Sequence, residues 1–359
     1  MSKKMAILSF TTGGKVLGEK LSSLLSKDQG EVPWEIQKVH RPIPLDEWMK
    51  EHFASLDALV FIGAMGIIVR GMAPYLRDKT SDPAVVVLDE KGQFAISVLS
   101  GHLGGANALT AEIANLLGAV PVITTASDVN HKIAIDVFAK KNHLVIDSMK
   151  QAKQCAAAIV SGEKVSFQCE GEWSGEVPAE LAYKPEEASF HIHITPKMRQ
   201  KDASSLHLIP KAYVMGVGCK AGTPEHVIEQ RIREELDALG IDLRSIDCMA
   251  SIDLKCKETG LLEFSKKQEI PIRFFSAEEL LKLPGTFTSS EFVSQVTGVD
   301  NVCERSAFGL IYQNETMKPE EFMVLPKSGK DGVTIAIMKK DWSVSFEQSI
   351  CSGHWPGSL

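Results

Sequence analysis

The chain has 359 residues, seven cysteines and a formal net charge of −7, with ordinary apolar (44%) and charged (24%) fractions. Its length predicts two or three domains, and its acidic balance argues against an extended nucleic-acid or anionic-membrane surface. The apolar uncharged run Ala58–Val69 is too short to span a bilayer and contains two glycines. The cysteines are scattered without a Cys-x-x-Cys pair, which favours reduced thiols in a cytoplasmic protein over a disulfide framework or a zinc site.

Strands and helices alternate from the start of the chain. Met5–Phe10 is a predicted strand, an amphipathic helix follows to Leu25, and Glu35–Val39 is a second strand. Three more apolar strands, Ala58–Ile62, Ala84–Leu88 and Phe94–Leu99, are rich in Val and Ile, as is typical of strands buried on both faces. A hairpin turn joins the last two of them, and a further strand is predicted at Val120–Thr125. We therefore predict a mostly parallel sheet for residues 1–130.

The remaining sequence divides into two α/β parts. Residues 131–205 contain two predicted helices and two short strands and form a small middle module that ends in a polar linker, Thr195–His207. A new strand, glycine turn and helix begin near Ala212, which places a C-terminal α/β domain at residues 211–345 and a tail at 346–359. The predicted fold class is thus α/β, with a parallel-sheet N-terminal domain, a small α/β middle module and an α/β C-terminal domain.

Two glycine-containing junctions are candidate binding sites. Gly63 and Gly66 follow a strand and lead into a helix, whose N-terminus attracts anions. Arg70, Arg77 and Lys79 follow at spacings that suit one helix and its exit loop. These cations are interpreted equally well as carboxylate-binding groups or as ordinary surface charges.

The second junction contains a histidine. His102 lies inside a Ser-Gly-His-Leu-Gly-Gly-Ala-Asn loop between a strand and a helix, an arrangement that lets backbone approach a ligand. Such junctions usually lie at the carboxyl edge of an open α/β sheet. A structural hydrogen-bonding role for His102 remains open. His191 and His193 alternate along one strand without a nearby third ligand, so we interpret them as solvent-facing residues and not as a metal site.

By these residues the chain resembles the CbiG family of the anaerobic vitamin B12 pathway, the cobalt-precorrin-5A hydrolases. The resemblance covers nearly the whole chain, and its C-terminal part also resembles a stand-alone companion protein of the aerobic pathway. Lys220 stands where arginine is common in the family. The motifs that support the resemblance are Gly63–Arg70, Asp82–Asp89, Ser100–Asn107, Pro121–Asp128, Gly216–Pro224, Ser251–Lys255 and Gly298–Ala307.

The resemblance implies a definite reaction. The family opens the δ-lactone of cobalt-precorrin-5A and expels the C20 carbon with its methyl group as acetaldehyde, which gives cobalt-precorrin-5B. It needs no separate cofactor, because cobalt arrives inside the substrate. The partner it implies is a small cobalt-corrinoid molecule, with no nucleic acid and no membrane. We also allow for a homodimer and for transient contact with neighbouring methyltransferases of the pathway.

Catalytic roles follow from this chemistry. Neutral His102 is the expected general base, so the rate should fall below a pKa of about 6.5. Backbone N–H groups of Leu103 to Ala106 are expected to bind the oxyanion. Either His102 itself or a nearby carboxylate such as Asp128 is the candidate for removing the proton of the C20 hydroxyl, and Glu304 is a further candidate carboxylate. We expect the substrate between the N-terminal and C-terminal domains, held by Gly63, Gly66, Arg70, Arg77, Lys79, Ser100, Gly101, Gly104, Gly105, Asn107, Gly218 and Lys220.

Two other functions compete with this interpretation. A nucleotide- or nicotinamide-dependent α/β enzyme would fit the fold, but the full Gly-x-Gly-x-x-Gly fingerprint is missing. A non-catalytic carrier that binds a corrinoid intermediate between enzymes would retain the same binding residues without releasing acetaldehyde.

Overall fold

The computed structural model describes residues 2–27, 33–41, 44–78, 81–102, 104–130, 132–182, 188–200 and 202–347. These residues form α/β units that are each built on a separate main sheet, which confirms the predicted fold class. Within the described ranges, no helix is both long enough and apolar enough to cross a membrane.

The N-terminal unit is a six-stranded sheet between two layers of helices. Its strands are β1 (Lys3–Ser9), β2 (Trp34–His40), β3 (Ala58–Ile62), β4 (Ala84–Leu88), β5 (Phe94–Leu99) and β6 (Val120–Val122), and its helices are α1 (Thr12–Leu25), α2 (Leu45–His52), α3 (Met65–Met72), α4 (Ala106–Leu117) and α5 (Ala126–Val129). The strand order is β2-β1-β3-β4-β5-β6. Alternate residues of the central strands face opposite layers, so α1 and α4 pack on one face and α2 and α3 on the other.

The last two strands of this sheet, β5 and β6, run against the other four. β5 pairs antiparallel with β4, with Leu99 opposite Val85, because the two strands are joined by the predicted hairpin. β6 then pairs parallel with β5. The loop after β5 therefore lies at the edge where β3 and β4 begin, and the loop after β3 lies at the opposite edge. The binding residues expected at the two glycine junctions, Gly63–Gly66 and Ser100–Asn107, therefore lie at opposite edges of the sheet.

The middle module has a five-stranded sheet in the order β10-β8-β11-β12-β7. Its elements are α6 (Ile135–Lys141), β7 (Val145–Ile146), α7 (Met149–Val160), β8 (Val165–Cys169), β9 (Glu172–Ser174), β10 (Leu181–Ala182), β11 (Phe190–Ile194) and β12 (Ser205–Ile209). β12 is buried along its whole length, so the end of the segment predicted as a polar linker is a central strand. Its apolar residues Leu206 and Leu208 explain the difference, since both pack into the core of the module.

The C-terminal unit has a sheet in the order β15-β14-β13-β17-β16, and β17 is antiparallel to both of its neighbours. Its elements are β13 (Tyr213–Cys219), α8 (Glu225–Leu239), β14 (Ile246–Ile252), α9 (Thr259–Gln268), β15 (Ile272–Phe275), α10 (Ala277–Leu281), α11 (Glu291–Thr297), α12 (Cys303–Ile311), α13 (Pro319–Phe322), β16 (Met323–Lys330) and β17 (Val333–Lys339).

The chain then returns to the middle module. A last strand, β18 (Ser343–Ser345), pairs with β9 of the middle module, and Val344 and Phe346 are buried in that module's core. Residues 343–346 therefore pack with the middle module, whereas the sequence assigned them to the C-terminal domain and the start of the tail. Residues 348–359 of the predicted tail lie outside the described part of the chain.

Candidate active site

The loop after β5 is held by hydrogen bonds within the loop and by one to the residues that precede β4. Ser100 has a left-handed backbone (φ 55°) and its hydroxyl donates to the carbonyl of Asp82 at 2.9 Å. The amide of Ala106 donates back to the carbonyl of Ser100 at 3.1 Å, and that of Asn107 to Gly101 at 2.9 Å. These bonds close a tight turn at the start of α4 and hold His102 at its tip.

The loop glycines are required by close packing and by backbone conformation. A Cβ atom on Gly101 would lie 2.8 Å from Oδ1 of Asn107, and one on Gly104 would lie 2.8 Å from the carbonyl oxygen of Ser100. Gly105 has a φ of 89°, which side-chain-bearing residues rarely adopt. These three glycines therefore shape the loop itself, whatever contact they also make with a ligand.

Asn107 connects the loop to the segment after β6. Its side chain is buried, accepts from the Ser97 hydroxyl at 2.6 Å, and donates from Nδ2 to Thr125 Oγ1 and to Asp128 Oδ2, both at 2.9 Å. β5 and β6 are parallel neighbours, so their carboxyl ends meet at the same edge of the sheet. Asn107 thereby holds the Asp128 carboxylate beside the histidine loop.

His102 lies between two carboxylates. Its Nε2 is 2.8 Å from Oδ2 of Asp128, and its Nδ1 is 3.4 Å from Oδ1 of Asp136 in α6 of the middle module. Burial alone would lower the pKa of the imidazolium, but hydrogen bonds to Asp128 and Asp136, together with their charges, raise the pKa from 6.5 to about 9. The ring is therefore protonated at neutral pH and holds the two carboxylates by charge-assisted bonds.

This arrangement corrects two mechanistic expectations. A protonated His102 is an acid and an electrostatic donor at neutral pH, so a neutral general base with a pKa near the ordinary value is the wrong description. The expected oxyanion donors are also partly used, because the amides of Gly105 and Ala106 donate to the carbonyls of His102 (3.0 Å) and Ser100 (3.1 Å). Leu103 lies outside the described residues.

A cavity of about 340 Å³ opens beside His102, between the N-terminal unit and the middle module. Its charged lining residues are His102, Asp136 and Lys153, and the other walls are mostly apolar. Asp128 does not line it, so that carboxylate lies behind the ring and Asp136 faces the open space. The apolar wall is formed by Ala126, Ile133, Ala134, Ile135, Met149, Ala152, Ala156, Ala157 and Val160.

Comparison with known proteins places this site in a family. Three family models match consecutive parts of the chain: Cobalamin synthesis G N-terminal over residues 47–128, Cobalamin biosynthesis central region over 133–210, and Cobalamin synthesis G C-terminus over 213–338. A relative from Salmonella typhimurium, named cobalt-precorrin-5A hydrolase, is 32% identical over 327 residues, which are 85% of this chain and 91% of the relative. One of the same name from Priestia megaterium is 35% identical over 308 residues, 80% of each chain. The chain belongs to the CbiG family of cobalt-precorrin-5A hydrolases.

Membership of the CbiG family confirms the resemblance drawn from the motifs, and it disfavours both the nicotinamide enzyme and the non-catalytic carrier. The positions of the individual residues come from the structure alone. It brings His102, Asp128 and Asn107 together at the loop that Ser100, Gly101, Gly104 and Gly105 shape, and it places Gly63, Gly66, Arg70, Gly218, Lys220 and Glu304 elsewhere.

The Gly63 junction lies across the sheet from His102. Gly63 follows the carboxyl end of β3, and the Arg70 guanidinium folds back along α3 toward Gly66. The five residues of β3 separate this edge from the histidine loop by about 16 Å. Arg77, in contrast, is at the histidine edge, since its amide donates to the Asp82 carboxylate at 3.1 Å. Lys79 lies outside the described residues.

The C-terminal candidates are also separate from the cavity, none of whose lining residues lies beyond Val160. Glu304 is buried near the start of α12, and its oxygens accept from Thr288, Asn301 and the amide of Lys327 at 2.7–2.9 Å. These bonds stabilise the C-terminal unit. Gly218 and Lys220 lie at the carboxyl end of β13, where the aliphatic part of Lys220 packs against Gly332. The cavity beside His102 lies at the middle module, and a site between the N-terminal and C-terminal domains stays a prediction.

Sequence reasoning missed Asp136 and Lys153. Asp136 had a weak signal, because it lies in the first turn of a correctly predicted helix, where an acidic residue is usually explained by the helix dipole. Lys153 is an exposed lysine on α7 and carried no signal of its own. Within the described ranges, no group of three His, Cys, Asp or Glu side chains is arranged to hold a metal ion.

Proposed function

We propose that this chain hydrolyses cobalt-precorrin-5A to cobalt-precorrin-5B and acetaldehyde at the cavity beside His102. The observation that supports this site best is the partly buried Asp128–His102–Asp136 cluster, whose His102 and Asp136 line an otherwise mostly apolar cavity together with Lys153. Perturbed titratable groups in a cavity are typical of active sites.

The reaction needs two steps that balance without an oxidant or reductant. In the first step, the oxygen of water bonds to the lactone carbonyl carbon and the ring C–O bond breaks, which leaves a carboxylic acid and a hydroxyl on C20. In the second step, the hydroxyl gives its proton to a carboxylate of the site or to water, and the bond from C20 to the macrocycle breaks. The electron pair of that bond passes into the conjugated macrocycle, and C20 leaves with its methyl group as acetaldehyde.

His102 suits the donor role in the first step. An imidazolium can stabilise the oxyanion that forms at the lactone carbonyl and can donate a proton to a leaving oxygen. Asp128 orients the ring from behind, with Asn107 holding that carboxylate in place. We propose no separate cofactor for this chemistry, since cobalt is part of the substrate.

The size of the cavity limits how the substrate binds. Pockets that enclose a drug-sized ligand measure about 300–1,000 Å³, so a cavity of about 340 Å³ is at the lower end of that range. We infer that the lactone-bearing edge of the macrocycle enters the cavity and that the rest lies over its mouth. Lys153 lines the cavity and Arg77 lies at the same edge of the sheet, so we propose these two cations as partners of the acetate and propionate groups. We place the reaction in the cytoplasm, because the six described cysteines are free thiols.

Anaerobic incubation of the purified protein with cobalt-precorrin-5A tests the proposal. We expect one acetaldehyde per substrate consumed and a product with the mass of cobalt-precorrin-5B. The His102→Gln variant is the control for acetaldehyde that arises without the enzyme. Stoichiometric binding of the corrinoid without acetaldehyde would overturn the proposal in favour of a carrier, and a thermal shift with nucleotides alone would revive the nucleotide-dependent alternative.

A further inference from the structure

We propose that Asp136, supplied by the middle module, is the general base that removes a proton from the attacking water. This inference rests on the proposed function and adds a catalytic residue to it. It also gives the middle module a role, since α6 and α7 would form one wall of the active site.

The placement of the two carboxylates around His102 separates their roles. Asp128 is bound to Nε2 and to the Asn107 amide, and it does not line the cavity. Asp136 lies on the other side of the ring, at the longer distance of 3.4 Å from Nδ1, and it does line the cavity. Substrate or water in the cavity therefore meets Asp136 and the Nδ1 side of the ring, while Asp128 remains behind them.

The charges of the site favour a carboxylate base over the imidazole. Asp136 is the one anionic side chain among the described lining residues, and it faces two cations, His102 from the β5–α4 loop and Lys153 from α7. Asp128 lies on the Nε2 side of the ring, and Lys132, in the same module as Asp136, is paired with Glu180 at 3.9 Å. Two neighbouring cations favour the ionised carboxylate, which is the form that can accept a proton.

Asp136 and His102 together account for every proton that moves in the first step. As the water oxygen bonds to the lactone carbon, one of its protons passes to Asp136, and His102 gives a proton to the C20 oxygen as the C–O bond breaks. A proton then moves from Asp136 to His102 across their contact, which restores an ionised carboxylate and an imidazolium. The net change is the addition of one water molecule to the lactone.

The test compares Asp136→Asn with Glu163→Gln, a matched removal of one carboxylate from an exposed site of the same module. Asn keeps the size and a hydrogen-bonding oxygen but cannot accept the proton. We expect Asp136→Asn to bind cobalt-precorrin-5A, followed by corrinoid absorbance, and to release acetaldehyde about 10²–10⁴ times more slowly per bound substrate. The Glu163→Gln variant should match wild type.

Two further readouts distinguish a base from a structural residue. The acidic limb of the wild-type pH–rate profile should vanish in Asp136→Asn, and Asp136→Glu should recover part of the rate. Equal turnover by Asp136→Asn and wild type would overturn the inference and leave the proposed function intact, whereas a wild type that releases no acetaldehyde would overturn the function itself. An Asp136→Asn protein that fails to fold or to bind the corrinoid would assign the residue a structural role and also overturn the inference.

Discussion

Nε2 of His102 lies 2.8 Å from Oδ2 of Asp128, and the same oxygen accepts a hydrogen bond from the buried amide of Asn107. The carboxylate is therefore held from two sides before any substrate binds. Such preorganisation lowers the reorganisation that a charged transition state requires. The same contacts set the protonation state of His102, which therefore affects both the free energy of unfolding and the rate of acetaldehyde release.

The first prediction concerns the stability of the fold at different pH values. The pKa of His102 is about 9 in the folded protein, above its unfolded value of 6.5. The ion pairs of His102 therefore contribute fully to the free energy of unfolding below about pH 6.5, and this contribution is lost as the pH rises through 9. At about 1.4 kcal/mol for each pKa unit, this contribution is on the order of 3 kcal/mol. Urea unfolding of wild type and His102→Gln should differ by about that amount at pH 6 and much less at pH 9.5. A difference that stays constant or grows with pH would contradict the assigned ion pairs.

The second prediction separates steric overlap from backbone strain in the loop. A methyl group on Gly104 would overlap Ser100, so Gly104→Ala should displace the loop and lower both the melting temperature and the turnover. In Gly105→Ala the new Cβ meets open space, so only the left-handed backbone conformation destabilises the variant. This conformation lowers the free energy of unfolding by about 1–2 kcal/mol. Thermal melts and acetaldehyde assays check that Gly104→Ala is the more damaging of the two substitutions. A milder effect for Gly104→Ala than for Gly105→Ala would contradict the loop geometry.

The residues around His102 show how far the sequence alone can lead. The pairing of His102 with Asp128 was predictable, because both follow apolar strands whose carboxyl ends meet when those strands are parallel neighbours. The position of the loop relative to Gly63 was not worked out from the sequence, although the hairpin before Phe94 reverses β5 and so moves the loop to the other edge. The hairpin was recognised in the sequence, but its effect on the loop depends on the order of strands in the whole sheet.

Asp136 shows a different limit. Its helix was predictable from hydrophobic spacing, but its contact with His102 depends on how the middle module docks against the N-terminal unit. No local pattern encodes that docking. Glu304 shows the reverse case, in which a family motif suggested catalysis and the structure places the carboxylate inside a network of buried hydrogen bonds.

The third prediction therefore concerns Glu304. In Glu304→Gln an amide NH₂ would replace one acceptor oxygen and face a donor of Thr288, Asn301 or Lys327. Each orphaned buried donor costs about 1–3 kcal/mol, so the variant should unfold at lower urea concentration while its turnover per folded molecule is unchanged. Glu321→Gln, at an exposed site, is the matched control. A folded Glu304→Gln protein with lost turnover would return Glu304 to the catalytic candidates.

The fourth prediction compares two arginines at opposite edges of the N-terminal sheet. Arg77 is on the side of the histidine loop, whereas the Arg70 side chain lies by Gly66 at the far edge. A charge-assisted contact contributes about 1.5–3 kcal/mol, so Arg77→Ala should raise KM about tenfold or more with little change in kcat, and Arg70→Ala should raise it less. Steady-state kinetics with cobalt-precorrin-5A decide the question. A larger KM effect for Arg70→Ala would place the macrocycle at the Gly63 edge.

The rate of acetaldehyde release by wild type and His102→Ala, measured from pH 5 to pH 10 under saturating cobalt-precorrin-5A, tests the central claim most directly. We predict that the variant still binds the corrinoid and that its kcat is lower by about 10²–10⁴. The wild-type rate should fall on the alkaline side near pH 9, where His102 loses its proton, and the variant should lack that limb. Near-normal turnover by His102→Ala, or a wild-type rate that rises through pH 9, would contradict an imidazolium-centred active site.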